Sequence, residues 1–302
     1  MKILVCDKLA PQALEELKKV EGFNVVYKTG MAEEELIKEI SDADAAVVRS
    51  ATKLRRHILD HAKNLKIIVR AGIGLDNIDL DAAKEKGIEV RNTPAATSIS
   101  VAELTLGLML AAVRKIPQAY SSMKAHKWEK KLFEGTELYG KTLGIIGFGR
   151  IGREVARRAL AFGMKVLYYD VVEIKTDLEA RQVSLDELLA NADVITLHVP
   201  LTDQTRGLIN AEALSKMKDG VIVVNVARGG VVSEKDMLEA LKSGKVAVYA
   251  VDVYEKEPTD NFELIDHPGV IPTPHIGASA KEGQLRAGLE VVRILKEFFG
   301  KN

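Results

Sequence analysis

Short unbroken apolar runs alternate with amphipathic stretches along almost the whole chain, and no other feature constrains its fold as strongly. Ile3–Val5, Val25–Tyr27, Ala45–Val48, Leu65–Val69 and Ile88–Val90 read as strands. Between them, Ala13–Val20, Glu33–Ile40, Leu54–Ala62 and Leu80–Lys86 carry apolar residues at helical spacing. Strands that are apolar on both faces and separated by helices belong to a parallel sheet covered on both sides. A second series begins with the long apolar helix Ser100–Ile116 and a lysine-rich connector containing Trp128. Strands Leu143–Ile146, Val166–Tyr169, Val194–His198, Val221–Val226, Val246–Val251 and Val270–Pro272 follow. Helices Ile151–Phe162, Leu185–Ala190, Ala211–Met217 and Glu234–Leu241 lie between them, and a last helix covers Ser279–Phe299. The expected class is α/β, with two doubly wound parallel-sheet domains and no repeat or low-complexity linker.

A length of 302 residues suits two such domains. Lys and Arg number 43, as do Asp and Glu, so the net charge is zero. A neutral chain has no electrostatic footprint for nucleic acid or an anionic membrane, and neither is expected as a partner. Cys6 stands alone, which excludes an intramolecular disulfide and a Cys-rich metal site, and no metal is expected. The apolar stretch Leu104–Val113, bracketed by Glu103 and Arg114, falls far short of the ~20 residues that cross a bilayer. Met1–Asp7 leads into a helical pattern with no cleavage-type site, so the expected compartment is the cytoplasm.

Gly147-Phe148-Gly149-Arg150-Ile151-Gly152 follows the strand Leu143–Ile146 directly and opens a helix. Gly147 permits the tight turn, Gly149 lets a pyrophosphate approach the backbone, and Gly152 allows close packing of helix on strand. Free N–H groups at the helix start suit phosphate. Asp170 ends the next strand, where a carboxylate accepts hydrogen bonds from an adenosine ribose and repels a 2′-phosphate. Val171 and Val172 follow it, with no Arg for such a phosphate, so the expected cofactor is NAD rather than NADP.

Hydride transfer also needs a proton acceptor and a cation that fixes the substrate. His275, in Thr273-Pro274-His275-Ile276-Gly277, follows an apolar strand and is the best acid–base candidate, since imidazole titrates near neutrality. A neighbouring carboxylate could come from Asp252-Val253-Tyr254-Glu255-Lys256-Glu257-Pro258. Arg228, in Asn225-Val226-Ala227-Arg228-Gly229-Gly230, can grip a carboxylate with two parallel hydrogen bonds. His198, at a strand end, reads equally as a cofactor contact or a strand cap. His57 and His61 read as an exposed helical pair at i,i+4 rather than as metal ligands, and His126 and His267 as solvated loop residues.

The order of these motifs resembles the D-2-hydroxyacid dehydrogenase family over nearly the whole chain. Upstream, Arg70-Ala-Gly-Ile-Gly-Leu-Asp-Asn-Ile-Asp79, Asn92-Thr-Pro and Ser100-Val-Ala-Glu103 carry the same resemblance. The resemblance implies Arg228, Glu257 and His275 as the catalytic set. It carries cofactor contacts onto Arg150, Ile151, Asp170, Val199, Pro200, Thr205, Val226, Ala227, Asp252 and Gly277, with Val101 near the nicotinamide. It implies that Ile73 and Gly74 offer backbone N–H groups to the substrate carboxylate. It further implies a Rossmann-type NAD domain, residues 99–282, inserted in a flavodoxin-like substrate domain made of residues 1–98 and a returning helix, 283–302.

Val48-Arg49-Ser50 and the segment Gly135–Gly144 are most similar to the family members that oxidise D-3-phosphoglycerate. Arg49, after a strand, and Ser50 beside it are candidates for the phosphate; Lys124, Lys127, Lys130 and Lys131 form a second source or a solvated loop. Two other functions compete: a glyoxylate, hydroxypyruvate or related reductase on the same scaffold, and an NAD-sensing corepressor. The chain ends at Asn302 straight after the closing helix, so serine feedback through a C-terminal regulatory domain is not expected. The helix Ser100–Ile116 is apolar on more than one face, which suits either a homodimer or burial between the two domains.

Overall fold

The computed structural model describes residues 1–301, which divide into two compact units: residues 1–98 with 278–301, and residues 99–277. The chain begins β1 (Lys2–Val5), α1 (Pro11–Lys19), β2 (Asn24–Tyr27), α2 (Glu33–Ile40), β3 (Ala45–Val48), α3 (Arg56–Leu59), β4 (Ile67–Arg70), α4 (Leu80–Glu85) and β5 (Glu89–Asn92). Next come α5 (Ser98–Arg114), α6 (Ile116–Lys124), a 3₁₀ turn (Lys130–Phe133), β6 (Thr142–Ile146), α7 (Arg150–Ala161), β7 (Lys165–Tyr169) and β8 (Ala180–Gln182). The remainder is α8 (Leu185–Asn191), β9 (Val194–Leu197), α9 (Ala211–Lys216), β10 (Val221–Asn225), α10 (Glu234–Lys242), β11 (Val246–Val251), α11 (Phe262–Ile265), β12 (Val270–Pro272) and α12 (Lys281–Phe298).

Every strand pair is parallel. The first sheet has the order β2-β1-β3-β4-β5, the flavodoxin-like order, and the second β8-β7-β6-β9-β10-β11-β12, the Rossmann order with one more strand. Residues alternate across each sheet, and both faces are covered. In the first unit Ile3 and Val5 pack with α1 and α12, including Leu17, Val291 and Leu295. Leu4 and Cys6 point the other way, toward Leu36 and Ile40 of α2 and Ile58 of α3. In the second unit Leu143 and Ile145 meet α5 and α7, while Ile146, Ile195 and Val223 meet α8, α9 and α10. Local polar residues start the helices: Ser184 caps α8, Asn210 caps α9 and Ser233 caps α10.

The structure corrects several sequence-based boundaries. The apolar spacing over Leu54–Ala62 belongs to three different pieces. Leu54 bridges to Ile78, α3 makes a single turn, and i→i−3 bonds from His61 and Ala62 close it. His57 and His61 are therefore no helical pair; His57 sits 3.2 Å from Glu33 on the surface. The long helix stops at Arg114, where Lys115 takes φ 52°, and the lysine-rich connector begins as a second helix, α6. β8 was not anticipated; Ala-Arg-Gln shows no apolar pattern because it pairs on one side only. The apolar excess of α5 has an internal cause. Val101, Ala102, Leu106, Leu108, Met109, Ala112 and Val113 are buried in the core of their own unit. Ile99 near the start of the helix is exposed, and a run of exposed apolar residues follows its end: Ile116, Tyr120, Met123, Trp128 and Leu132.

Two helical glycines give opposite expectations. A Cβ on Gly288 of α12 would stand 2.5 Å from the Ala13 Cβ on α1, whereas one on Gly107 of α5 meets nothing within 4 Å. Gly288→Ala should destabilise by about 1–3 kcal/mol through overpacking. Gly107→Ala should stabilise by about 0.5–1 kcal/mol through helix propensity. Urea unfolding of both variants against the parent measures the difference.

Candidate active site

A parallel sheet delivers every carboxyl end to one edge, and the candidate residues lie on the loops that leave this edge. The strand order of the second sheet reverses between β6 and β9. The glycine turn leaves β6 and His198 leaves β9, and the two touch: a Cβ on Gly147, whose φ is 92°, would lie 2.8 Å from the His198 carbonyl oxygen. A Cβ on Gly152 would lie 2.3 Å from the Gly147 oxygen, so helix α7 runs against the turn itself. Around Gly149 nothing stands within 4 Å of a Cβ position, leaving its backbone open to an incoming group. The first α7 bond runs from Arg153 N–H to Gly149 O, so the N–H groups of Arg150, Ile151 and Gly152 have no partner within the helix.

Asp170 is held against this turn. Its Oδ2 accepts the Phe148 N–H at 2.8 Å, and the Phe148 ring stacks on Tyr168 with centroids 3.8 Å apart. A carboxylate beside an open glycine turn, followed by the exposed Val171 and Val172, fits an adenosine diphosphate with free ribose hydroxyls. On the other side of the turn, both His198 ring nitrogens are buried without a hydrogen-bond partner. Burial pushes its imidazole down to about 3, so near neutrality His198 is uncharged, with a proton on one ring nitrogen only. Beyond it, the Thr205 hydroxyl donates to Pro200 O at 2.6 Å and accepts the Thr202 N–H at 2.8 Å, folding the loop that contains Val199 and Pro200.

Arg228, Glu257 and His275 leave the adjacent strands β10, β11 and β12. Asn225, buried at the end of β10, shapes the first of these turns. Its Oδ1 accepts the Ala227 N–H and its Nδ2 donates to Arg228 O, both at 3.1 Å, while Val226 and Ala227 are buried beside it. Glu257 Oε2 stands 2.7 Å from His275 Nδ1, and Glu257 Oε1 accepts the Tyr254 N–H at 3.2 Å. The Glu257 hydrogen bond holds the His275 pKa above its ordinary value, against partial burial and the Arg228 charge, which lower it. Burial raises the Glu257 carboxyl, but the His275 contact, the Tyr254 N–H and the Arg228 charge outweigh it and keep it below the usual range.

His275 has a φ of 53°, a conformation disfavoured for a side chain of this kind. Asp252 holds it there. Its Oδ1 accepts the Ile276 N–H at 2.8 Å and the Thr273 hydroxyl at 2.6 Å, and its Oδ2 accepts the Gly277 N–H at 2.8 Å. Gly277 also approaches Val101 of α5, 3.5 Å from where a Cβ would be. Asp252, expected at the cofactor, thus uses its carboxylate on the His275 segment.

The remaining sequence-based residues lie on the first unit. Its strand order reverses between β1 and β3, and Lys8 and Arg49 follow those strands. The Asp7 carboxylate accepts the Arg49 N–H and the Thr52 hydroxyl, and the Asn77 amide donates to Arg49 O at 2.7 Å, fixing the turn through Ser50. Ile73 and Gly74 follow β4, where Asn92 Nδ2 donates to Ile73 O. Arg70 stands at the end of β4 in register with Val48, the residue before Arg49. A Cβ on Gly72 would lie 2.8 Å from its guanidinium. The signal was the arginine before the glycine-rich Ala71–Gly74. Lys124 ends α6, and Lys130 and Lys131 lie exposed in the 3₁₀ turn.

Residues 106–277 match the family described as D-isomer specific 2-hydroxyacid dehydrogenase, NAD binding domain. A hydroxypyruvate reductase of Thermotoga maritima is 54% identical over 295 residues, 96% of this chain and 95% of that protein. A D-3-phosphoglycerate dehydrogenase of Methanocaldococcus jannaschii is 51% identical over 98% of this chain, which spans only 57% of that longer protein. Among solved structures, the D-lactate dehydrogenase of Aquifex aeolicus with NAD and lactic acid superposes with a TM-score of 0.87 at 35% identity, over 99% of this chain and 96% of that one. Similarity of this extent, on a sheet order and glycine turn built for a dinucleotide, makes the chain a member of the D-isomer-specific 2-hydroxyacid dehydrogenases, an NAD-dependent oxidoreductase.

Proposed function

We propose that the enzyme oxidises D-3-phosphoglycerate to 3-phosphohydroxypyruvate, the entry step of serine biosynthesis. The observation that carries this reading is the pair of cations at the switch point of the first sheet. Lys8 follows β1 and Arg49 follows β3, where open α/β sheets take their ligands. In a chain of zero net charge, cations gathered at such a place suit a phosphorylated substrate. The phosphoglycerate dehydrogenase of Methanocaldococcus jannaschii supports the same substrate.

NAD, when bound, accepts the hydride leaving C2. The residues assigned to it are the Gly147–Gly152 turn, Asp170 at the ribose, and the segments around His198, Thr205 and Val226. Arg228 is assigned to grip the substrate carboxylate with two parallel hydrogen bonds. His275 Nε2 takes the 2-hydroxyl proton as the C–O bond becomes a carbonyl, because Nδ1 is engaged by Glu257. Glu257 fixes the ring and stabilises the imidazolium. In the reverse direction the same imidazolium returns the proton.

A second reading is reduction of hydroxypyruvate. The Thermotoga maritima reductase favours it, matching this chain nearly end to end at 54% identity. The proposed assembly is a cytoplasmic homodimer joined through exposed apolar residues of α6, the 3₁₀ turn and the connector between them, among them Tyr120, Leu132 and Trp128.

Four outcomes test this account. His275→Ala should lose on the order of 10²–10⁴ in turnover while binding NADH normally. In the parent, oxidation should fail as pH drops through the raised His275 pKa, and reduction should fail as pH rises through it. Glu257→Gln should move both limbs to lower pH; unmoved limbs would remove Glu257 from the mechanism. Arg49→Ala should raise the KM for D-3-phosphoglycerate by on the order of tenfold and that for D-glycerate far less, because only the former offers a charged partner. Equal effects on both would favour the reductase reading. Light scattering at micromolar concentration should give twice the 33.0 kDa chain mass; a single chain mass would reject the dimer.

A further inference from the structure

The loops that leave β10 and β11 are fastened to each other by two glutamates that take no part in the chemistry above. Glu234, the first residue of α10, is only 8% exposed. Its Oε1 accepts the Glu255 N–H at 2.8 Å and its Oε2 accepts the Asn261 amide at 2.8 Å. Glu255 returns the bond, its Oε1 accepting the Glu234 N–H at 3.0 Å. Asn261 in turn accepts the Leu264 N–H and starts α11. Glu257 lies between the two points that Glu234 holds.

A helix start needs only some acceptor for its free N–H groups, and a solvated side chain or water would serve. A buried carboxylate there carries a desolvation cost that its hydrogen bonds must offset. Glu234 directs its hydrogen bonds away from its own helix and onto the loop that presents Glu257. The Arg228 turn runs along the same seam. A Cβ on Gly229 would stand 1.7 Å from Tyr254 O and 2.7 Å from the Glu255 nitrogen, so backbone lies directly on backbone.

We propose that Glu234 is a positioning residue whose bracket on Glu255 and Asn261 sets where the Glu257 carboxylate stands and so orients the His275 ring for proton transfer. This deepens the assignment of Glu257 and His275 as the acid–base pair and rests on it. The charged groups facing His275 are Glu257 and Asp252, which favour its protonation, and Arg228, which opposes it. Glu234 is not one of them, so it reaches His275 through the placement of Glu257.

The near-isosteric Glu234→Gln cannot accept from both the Glu255 N–H and the Asn261 amide, because one of its two positions is now a donor. With NAD and whichever of D-3-phosphoglycerate and D-glycerate the parent turns over, kcat should fall by on the order of tenfold, as for a displaced catalytic group. The KM for NAD should stay within about twofold, and the acid limb of oxidation should move toward the ordinary imidazole value of about 6.5. Asp193→Asn is the control. Asp193 Oδ2 also accepts a backbone N–H, that of Thr142 at 2.8 Å, but at the amino end of β9, away from these loops. It should lower Tm and leave kcat and the limb unchanged.

If Glu234→Gln lowers Tm alone, with parental kcat and limb, the positioning role is overturned while the acid–base pair stands. If His275→Ala keeps parental turnover, the acid–base reading itself fails. Should Glu234→Gln not fold, Asn261→Ala removes one of the two attachments and should produce a smaller change of the same kind, about threefold. Parental kcat and limb in that variant would equally overturn the role.

Discussion

Seven strands that all run one way bring seven carboxyl ends to a single edge, and on that edge β10, β11 and β12 are hydrogen-bonded neighbours. Three residues that are far apart in sequence therefore leave adjacent positions spaced by the width of a strand, about 5 Å. Pairing of the three strands thus carries Arg228, Glu257 and His275 on loops that start side by side. The same constraint places the glycine turn and His198 together where the order reverses between β6 and β9.

Strand spacing alone does not orient side chains, and the loops that do so are held by buried polar groups rather than by packing. Asn225 shapes the Arg228 turn, Asp252 holds the segment of His275, and Glu234 joins the β10 and β11 loops. The left-handed His275 backbone costs on the order of 1–3 kcal/mol, and the three hydrogen bonds accepted by Asp252 offset it. Each of these residues sets at least one carboxylate or amide oxygen on a backbone N–H, a short-range and directional contact suited to fixing a loop.

Much of this was legible in the sequence because a strand buried on both faces must be apolar throughout. Ala45–Val48, Val246–Val251 and Val270–Pro272 are strands over the very residues that the pattern marks. The pattern misled where apolar spacing had more than one cause. Leu54–Ala62 mixes a bridge, one helical turn and a closing turn, and β8 at the sheet edge needs no apolar face. α5 is apolar on more than one face, yet its own unit buries most of it. Arg228 and His275 were visible because they follow obvious strands in motifs with glycine or proline. Glu234 was not, since an acidic residue at a helix start reads as a solvated one until the fold buries it. Nothing in one dimension pairs Arg70 with Val48, the neighbour of Arg49.

The central claim is that Glu257 tunes and orients His275 for proton transfer coupled to hydride transfer. It is tested most directly by NMR titration of histidine-labelled enzyme, with the His275 signal assigned through His275→Gln. Its imidazole should titrate above the ordinary value of about 6.5 in the parent and fall back when Glu257 is replaced by Gln. A His275 that titrates at or below the ordinary value in the parent, or identically in both proteins, would contradict the account.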